Sequence, residues 1–236
     1  AEIHATPFIY EENCWTTCGG FCCGSHHKDF DFKLLPLDGA AIIYFGEEYD
    51  WMQKEGLVPE GMHTREVNFD FGGPKSLRLV VVDCKLKGLC DGCMTKPLHC
   101  RIYPFIPIFG IGGQLTDIYP GSIFDLTFLR REGETPCTVW HRRRDECMRL
   151  WQTSSAIDCL RHPKLMFYFA AYKCLVDNYQ EMLSKNTDLG MLNGAEFWSK
   201  WELLYLGKRL FDAPLIKESV FKIYTEFRQT YGEFLG

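Results

Sequence analysis

No stretch of this 236-residue chain comes near the roughly eighteen uninterrupted apolar residues of a membrane-spanning helix, so none is expected. A surplus of either charge is also missing: 26 Lys and Arg stand against 31 Asp and Glu, a net charge of −5. So mild a balance gives no general attraction to nucleic acid or to an anionic membrane, and neither partner is expected. There is no internal repeat and no low-complexity segment. The opening residues, Ala-Glu-Ile-His-Ala-Thr-Pro, lack a basic stretch leading into an apolar one, so no secretory leader is visible and a cytoplasmic protein is expected. Cysteine is too sparse for a small disulfide-built domain, at 12 of 236 residues or about 5%. Apolar material is plentiful, with 46% hydrophobic and 15% aromatic residues, enough for a core that needs no cross-links. The length suits one domain with an appendage, or two small domains.

The cysteines are unevenly spread. Cys14-Trp-Thr-Thr-Cys18-Gly-Gly-Phe-Cys22-Cys23 sets four thiols within ten residues, and Cys84-x5-Cys90-x2-Cys93-x6-Cys100 follows about sixty residues later. In a reduced protein, clustered thiols point to metal or catalysis before disulfides. Thiolates are soft ligands, and sets of four suit zinc or an iron–sulfur cluster. Gly19 and Gly20 let the backbone wrap and leave N–H groups near sulfur. The adjacent pair Cys22 and Cys23 is hard to aim at one ion, so the two serve different sites, or one ligates while the other packs. The expectation is that the two clusters fold onto each other around metal. Lys85, Lys87, Lys96 and Arg101 are placed to offset the thiolate charge. Cys147, Cys159 and Cys174 stand singly in helical sequence and are expected as core thiols. His26 and His27 sit in a polar turn, as solvated side chains or as further ligands.

Along the chain, residues 6–12 suggest a short strand and 40–45 a longer one. Residues 46–56 read as a short helix with acids in its first turn and a glycine stop, Trp51 and Met52 facing inward. Residues 66–71 alternate as a half-buried strand, and 77–83 form the strongest strand, delivering Cys84 at its end; Gly72-Gly73-Pro74 between them makes a hairpin. Residues 102–113, broken by Pro104 and Pro107, read as extended chain, and 122–130 as another strand. From about Val139 the pattern turns helical, with helices over 164–184, 195–211 and 214–231. Pro214 suits a first helical turn. An α+β protein is therefore expected, with a cysteine-rich, strand-containing front over 1–137 and a helical region over 138–236 packed on it.

The first cluster, followed by Tyr44-Phe-Gly-Glu-Glu-Tyr-Asp-Trp-Met52, resembles the opening of the YkgJ-like family, the "CxxCxxCC" group of zinc- or iron-chelating proteins. The family's second hallmark is matched by Cys84, Cys90, Lys96-Pro97 and Cys100-Arg101-Ile102-Tyr103-Pro104. The resemblance also implies a late ligand, and Cys137 in Glu-Thr-Pro-Cys stands where it falls. The metal-ligand candidates are then Cys14, Cys18, Cys22, Cys23, Cys84, Cys90, Cys93, Cys100 and Cys137. Two features depart from the family pattern. The first cluster has x3 gaps, longer than the usual ones, and Cys93 replaces an aromatic, which leaves it an added ligand or an incidental thiol. The resemblance covers about residues 10–140. The family includes proteins similar to flagellin lysine N-methylases, and that branch implies an iron–sulfur centre.

Close after Cys137, His141-Arg142-Arg143-Arg144 is either, together with Arg101, a place for an anionic substrate beside the metal, or a solvated helix face whose field Asp145 and Glu146 weaken. Phe109-Gly-Ile-Gly-Gly113 lacks the full dinucleotide fingerprint. Tyr103 and Tyr119 are candidate pocket residues, and the aromatic helices (Phe197, Trp198, Trp201, Tyr205; Phe221, Tyr224, Phe227) are most simply core or a packing interface. Two functions fit. One is an iron–sulfur protein, of the 4Fe–4S kind, acting in modification or redox chemistry on a protein or small molecule; as an enzyme it would be methylase-like or an oxidoreductase. The other is a non-catalytic zinc protein, stapled by metal and binding a partner through its helices. The excess of thiols over the four that one structural zinc needs favours iron–sulfur.

Overall fold

A computed structural model describes residues 18–23, 32–35, 40–86, 96–153 and 155–235. The strand expected over 6–12, together with Cys14, His26, His27, Cys90 and Cys93, lies outside the described residues.

Short strands occupy the front and helices the back, an α+β arrangement as expected. Strand β1 (Ala40–Phe45) leads into helix α1 (Gly46–Lys54). Strands β2 (Thr64–Phe69) and β3 (Leu77–Cys84) form the hairpin read from the glycine-rich turn, and β3 is the middle strand of the antiparallel sheet β1-β3-β2. Its composition explains that position. Leu77, Val80, Val81 and Val82 are buried, whereas β2 is largely exposed and presents Arg65 and Glu66 as a charged edge. The register sets Ala40 opposite Cys84, so β1 starts beside the point where the second cysteine cluster begins. Helix α1 closes one side of the sheet through Met52, which is fully buried among Tyr44, Val80 and Val82.

Helix α2 (Leu98–Ile102) carries Cys100 and runs into the hairpin of β4 (Phe105–Phe109) and β5 (Leu115–Pro120). The stretch read as extended chain is therefore paired, and its partner β5 carries too many polar residues to stand out in sequence. The glycine-rich segment after Phe109 is the hairpin loop: Gly113 N–H donates to Gly110 O over 2.9 Å, and Gly113 has φ 82°, a conformation that favours glycine.

Residues 122–130, expected as a strand, are helix α3 (Ile123–Glu132). Phe124, Leu126 and Phe128 alternate as a strand would, but Ser122 Oγ caps the helix by accepting the Asp125 N–H at 3.1 Å, and Gly133 ends it with φ 75°. Helix α4 (Thr138–Thr153) and a 3-10 turn (Ser155–Arg161) lead to the long central helix α5 (Pro163–Lys185). Helices α6 (Thr187–Gly190), α7 (Gly194–Leu206) and α8 (Ala213–Tyr231) complete the chain, with Pro214 in the first turn of α8 as its sequence suggests. No helix of the described residues is long and apolar enough to cross a membrane.

The largest core draws on both halves of the chain: Phe71, Leu77 and Phe105 from the front meet Trp140, Trp151, Phe167, Phe169, Tyr224 and Phe227 from the back. Cys147 is fully buried in it, and Cys159 and Cys174 pack at its margin, as expected of thiols that fill core space. A second core gathers Phe21, Phe32, Phe128, Tyr179, Trp198 and Trp201. One polar chain crosses it. Trp201 Nε1–H donates to Tyr179 Oη over 2.8 Å, Tyr179 meets Thr127 Oγ1 at 2.5 Å, and Thr127 donates to Ile123 O at 2.7 Å. Tyr179→Phe leaves the buried Trp201 N–H without an acceptor, and urea denaturation should register a loss of about 1–3 kcal/mol. A loss below roughly 0.5 kcal/mol would contradict the role given to this chain.

Candidate metal centre

The described part of the first cysteine cluster is a tight turn. Gly19 and Gly20 take φ of 67° and 77°, two consecutive left-handed residues where any side chain would be strained. Cys23 N–H closes the turn on Gly20 O at 2.9 Å. The sulfurs of Cys22 and Cys23 then lie 3.4 Å apart.

This turn is seated on helix α3, and the later segment 32–35 on helix α7. Phe21 meets Phe128 of α3 edge-on at 5.7 Å, and Phe32 stacks on Trp201 of α7 at 5.6 Å while standing edge-on to Trp198. Glu202, only 1% exposed, accepts three successive backbone N–H groups, from Lys33, Leu34 and Leu35, at 3.1, 2.7 and 2.6 Å. Sequence reading missed Glu202, although an acid between Trp201 and Leu204 on an aromatic helix is a visible anomaly.

The other thiols arrive from three further places: Cys84 at the end of β3, Cys100 in α2, and Cys137 just ahead of α4. Burial raises the pKa of Cys84, and the negative charge of Cys23 raises it further. Burial pushes the Cys137 thiol up to about 12, with Asp125 and Cys18 adding to the effect. Tyr103 is held well above its usual range, first by burial and then by the charges of Asp125, Cys22 and Cys137. Lys96, 8% exposed, is lowered by burial, against which the Cys100 thiolate acts. Cys23 is lowered by its hydrogen bond from Cys22, against burial. The fold thus brings Cys23 within electrostatic reach of Cys84, Cys18 within reach of Cys137, and Cys22 and Cys137 within reach of Tyr103.

Among the described residues, no three Cys, His, Asp or Glu side chains stand ready to hold one metal ion. The donor chemistry nonetheless fits a thiophilic cation. The candidate donors are sulfurs, and buried Lys96 and Arg101 offer positive charge close by in the chain. A buried thiolate at Cys137 is unfavourable without a cation to compensate it.

The basic run after Cys137 separates into different tasks. His141 Nε2 lies 2.9 Å from both the N and the O of Thr135, stitching the turn before Cys137. Arg142 turns back to Thr138, Arg143 makes two 3.0 Å bonds to Glu146, and Arg144 lies over Trp140 with Asp117 nearby. Arg101 is 2% exposed. Tyr103 donates to Asp125 at 2.6 Å, and Tyr119 donates to Asp177 at 3.1 Å. An open groove of about 500 Å³ lies elsewhere, lined by Lys185, Lys208, Arg209 and Asp212 among others, and no cysteine borders it. No family model matches the chain, and no curated protein or solved structure is similar enough to match it.

Glu202→Ala strips the segment 33–35 of its acceptor and leaves three N–H groups to find water. It should cost about 2 kcal/mol or more and speed proteolytic cleavage near residue 34. An unchanged melting temperature and cleavage pattern would contradict the anchoring role.

Proposed function

We propose that this chain is a cysteine-ligated iron–sulfur protein, of the four-iron kind, acting in modification or redox chemistry on a protein or small molecule. The observation that supports the reading is that thiols of the Cys18–Cys23 turn bear electrostatically on Cys84 and on Cys137, residues far from them in sequence. The spacing of the cysteines and the resemblance to the YkgJ-like family support the same reading. Cys18, Cys22, Cys23, Cys84, Cys100 and Cys137 would hold the metal, together with Cys14, Cys90 and Cys93. Such a cluster supplies electron transfer or a Lewis-acidic iron. Lys96 and Arg101 balance the negative charge of the thiolates, and the aromatic seat around Phe21 and Phe32 excludes water from behind the turn. Arg101, His141, Arg142 and Arg143 are the candidates for holding an anionic substrate. A reducing, cytoplasmic setting suits such a thiol set.

The alternative is a closed zinc staple with no catalysis. It draws support from the groove, which lies away from every described cysteine. Anaerobically purified protein should be brown, absorb broadly at roughly 400 nm, and contain iron with acid-labile sulfide. A colourless preparation holding zinc alone would replace the iron–sulfur reading with the zinc one. Cys18→Ser and Cys100→Ser should each lose most of the metal while Cys174→Ser keeps it, and equal metal in all three would overturn the ligand assignment.

A further inference from the structure

Asp125 is a carboxyl group at 1% exposure on which three hydroxyls converge. Its Oδ2 accepts from Tyr103 Oη at 2.6 Å and from Ser122 Oγ at 2.8 Å, and its Oδ1 accepts from Thr135 Oγ1 at 2.6 Å. Two of these donors lead to cysteines. Tyr103 N–H donates to His99 O at 3.1 Å and so closes helix α2, which carries Cys100. Thr135 Oγ1 accepts the Cys137 N–H at 3.3 Å, and Thr135 is itself 5% exposed. A continuous hydrogen-bonded path therefore runs from the Cys100 helix through Tyr103, Asp125 and Thr135 to the backbone of Cys137. The third donor, Ser122, belongs to the cap of α3, the helix that carries Asp125.

We propose that Asp125 is a positioning residue that fixes the Cys137 turn against the Cys100 helix, so that thiols from both segments face one metal. This rests on the metal-binding reading above. A carboxylate suits the task because both of its oxygens accept; an amide of the same shape offers one accepting oxygen and one N–H2 that cannot take a hydroxyl proton. Asp125→Asn therefore keeps an accepting oxygen on one side only and forces the hydroxyl on the other, Tyr103 or Thr135, to reverse from donor to acceptor, which disturbs that arm. Groups that orient metal ligands through hydrogen bonds typically affect metal affinity by about 10–100-fold when removed.

The test is a cobalt(II) titration of the full reduced chain, read by the thiolate-to-cobalt charge-transfer absorption, with apo melting temperatures measured in parallel. Wild type is expected to show the thiolate band. Asp125→Asn and Thr135→Val should bind cobalt at least about tenfold more weakly, with a reduced band at saturation, while Thr135→Ser, which keeps the hydroxyl, stays near wild type. Ser122→Ala should lower the apo melting temperature through the lost cap yet leave cobalt affinity within about twofold, because Ser122 is not on the path between the thiols. Should Asp125→Asn fail to fold, the contrast between Thr135→Val and Thr135→Ser decides alone. If Asp125→Asn and Thr135→Val titrate like wild type, the positioning role is overturned while the metal reading stands. If wild type itself gives no thiolate–cobalt band, the metal reading fails and the positioning role goes with it.

Discussion

Trp201 and its neighbour Glu202 form the joint that fixes the segment 32–35 beyond the cysteine turn. The indole is fully buried, stacks on Phe32, and is held in place by Tyr179. One residue on, Glu202 collects the backbone N–H groups that follow Phe32. A buried carboxylate is costly unless its charge is met by donors, and three amides in a row meet it. The consequence is that the front of the chain is organised by helices from its back. The strands 40–84 are fixed from the other direction, through Phe71 and Leu77, which share a core with α5 and α8. Under these two packings Cys23 bears electrostatically on Cys84 and Cys18 on Cys137.

Burial raises the pKa of Cys84 and Cys137, so their thiolates are unfavourable where they stand. Mutual repulsion adds to it, Cys23 acting on Cys84 and Cys18 on Cys137. A thiophilic cation would stabilise buried thiolates of this kind, and its binding would be coupled to loss of thiol protons. Burial raises the pKa of Asp125 against the hydrogen bonds from Thr135, Tyr103 and Ser122, and through those hydroxyls it gives this surrounding a fixed geometry.

Much of the fold was legible because its periodicities are strong. Strand β3 is a run of Val and Leu ending in Cys84, and α5 and α8 carry long apolar faces bounded by Pro163 and Pro214. Helix α3 was not legible, since Phe124, Leu126 and Phe128 mimic strand alternation and the Ser122 cap is a local signal that the alternation masks. The cysteines were legible as a set but not as pairs. That Cys23 bears on Cys84 and Cys22 on Tyr103 depends on a turn with two left-handed glycines, packed through Phe21 on Phe128 of a helix far along the chain. Asp125 gave no signal for the same reason, and Glu202 only that of an acid on an aromatic helix; most of their donors come from other segments that the fold brings in.

The central claim is that thiols from separate segments share one metal, and X-ray absorption at the metal edge of the natively purified protein tests it most directly. The account predicts a first shell made of sulfur alone at about 2.3 Å, lost when Cys100 and Cys137 are both replaced by serine. A first shell of nitrogen and oxygen, or a metal environment indifferent to those two cysteines, would contradict it.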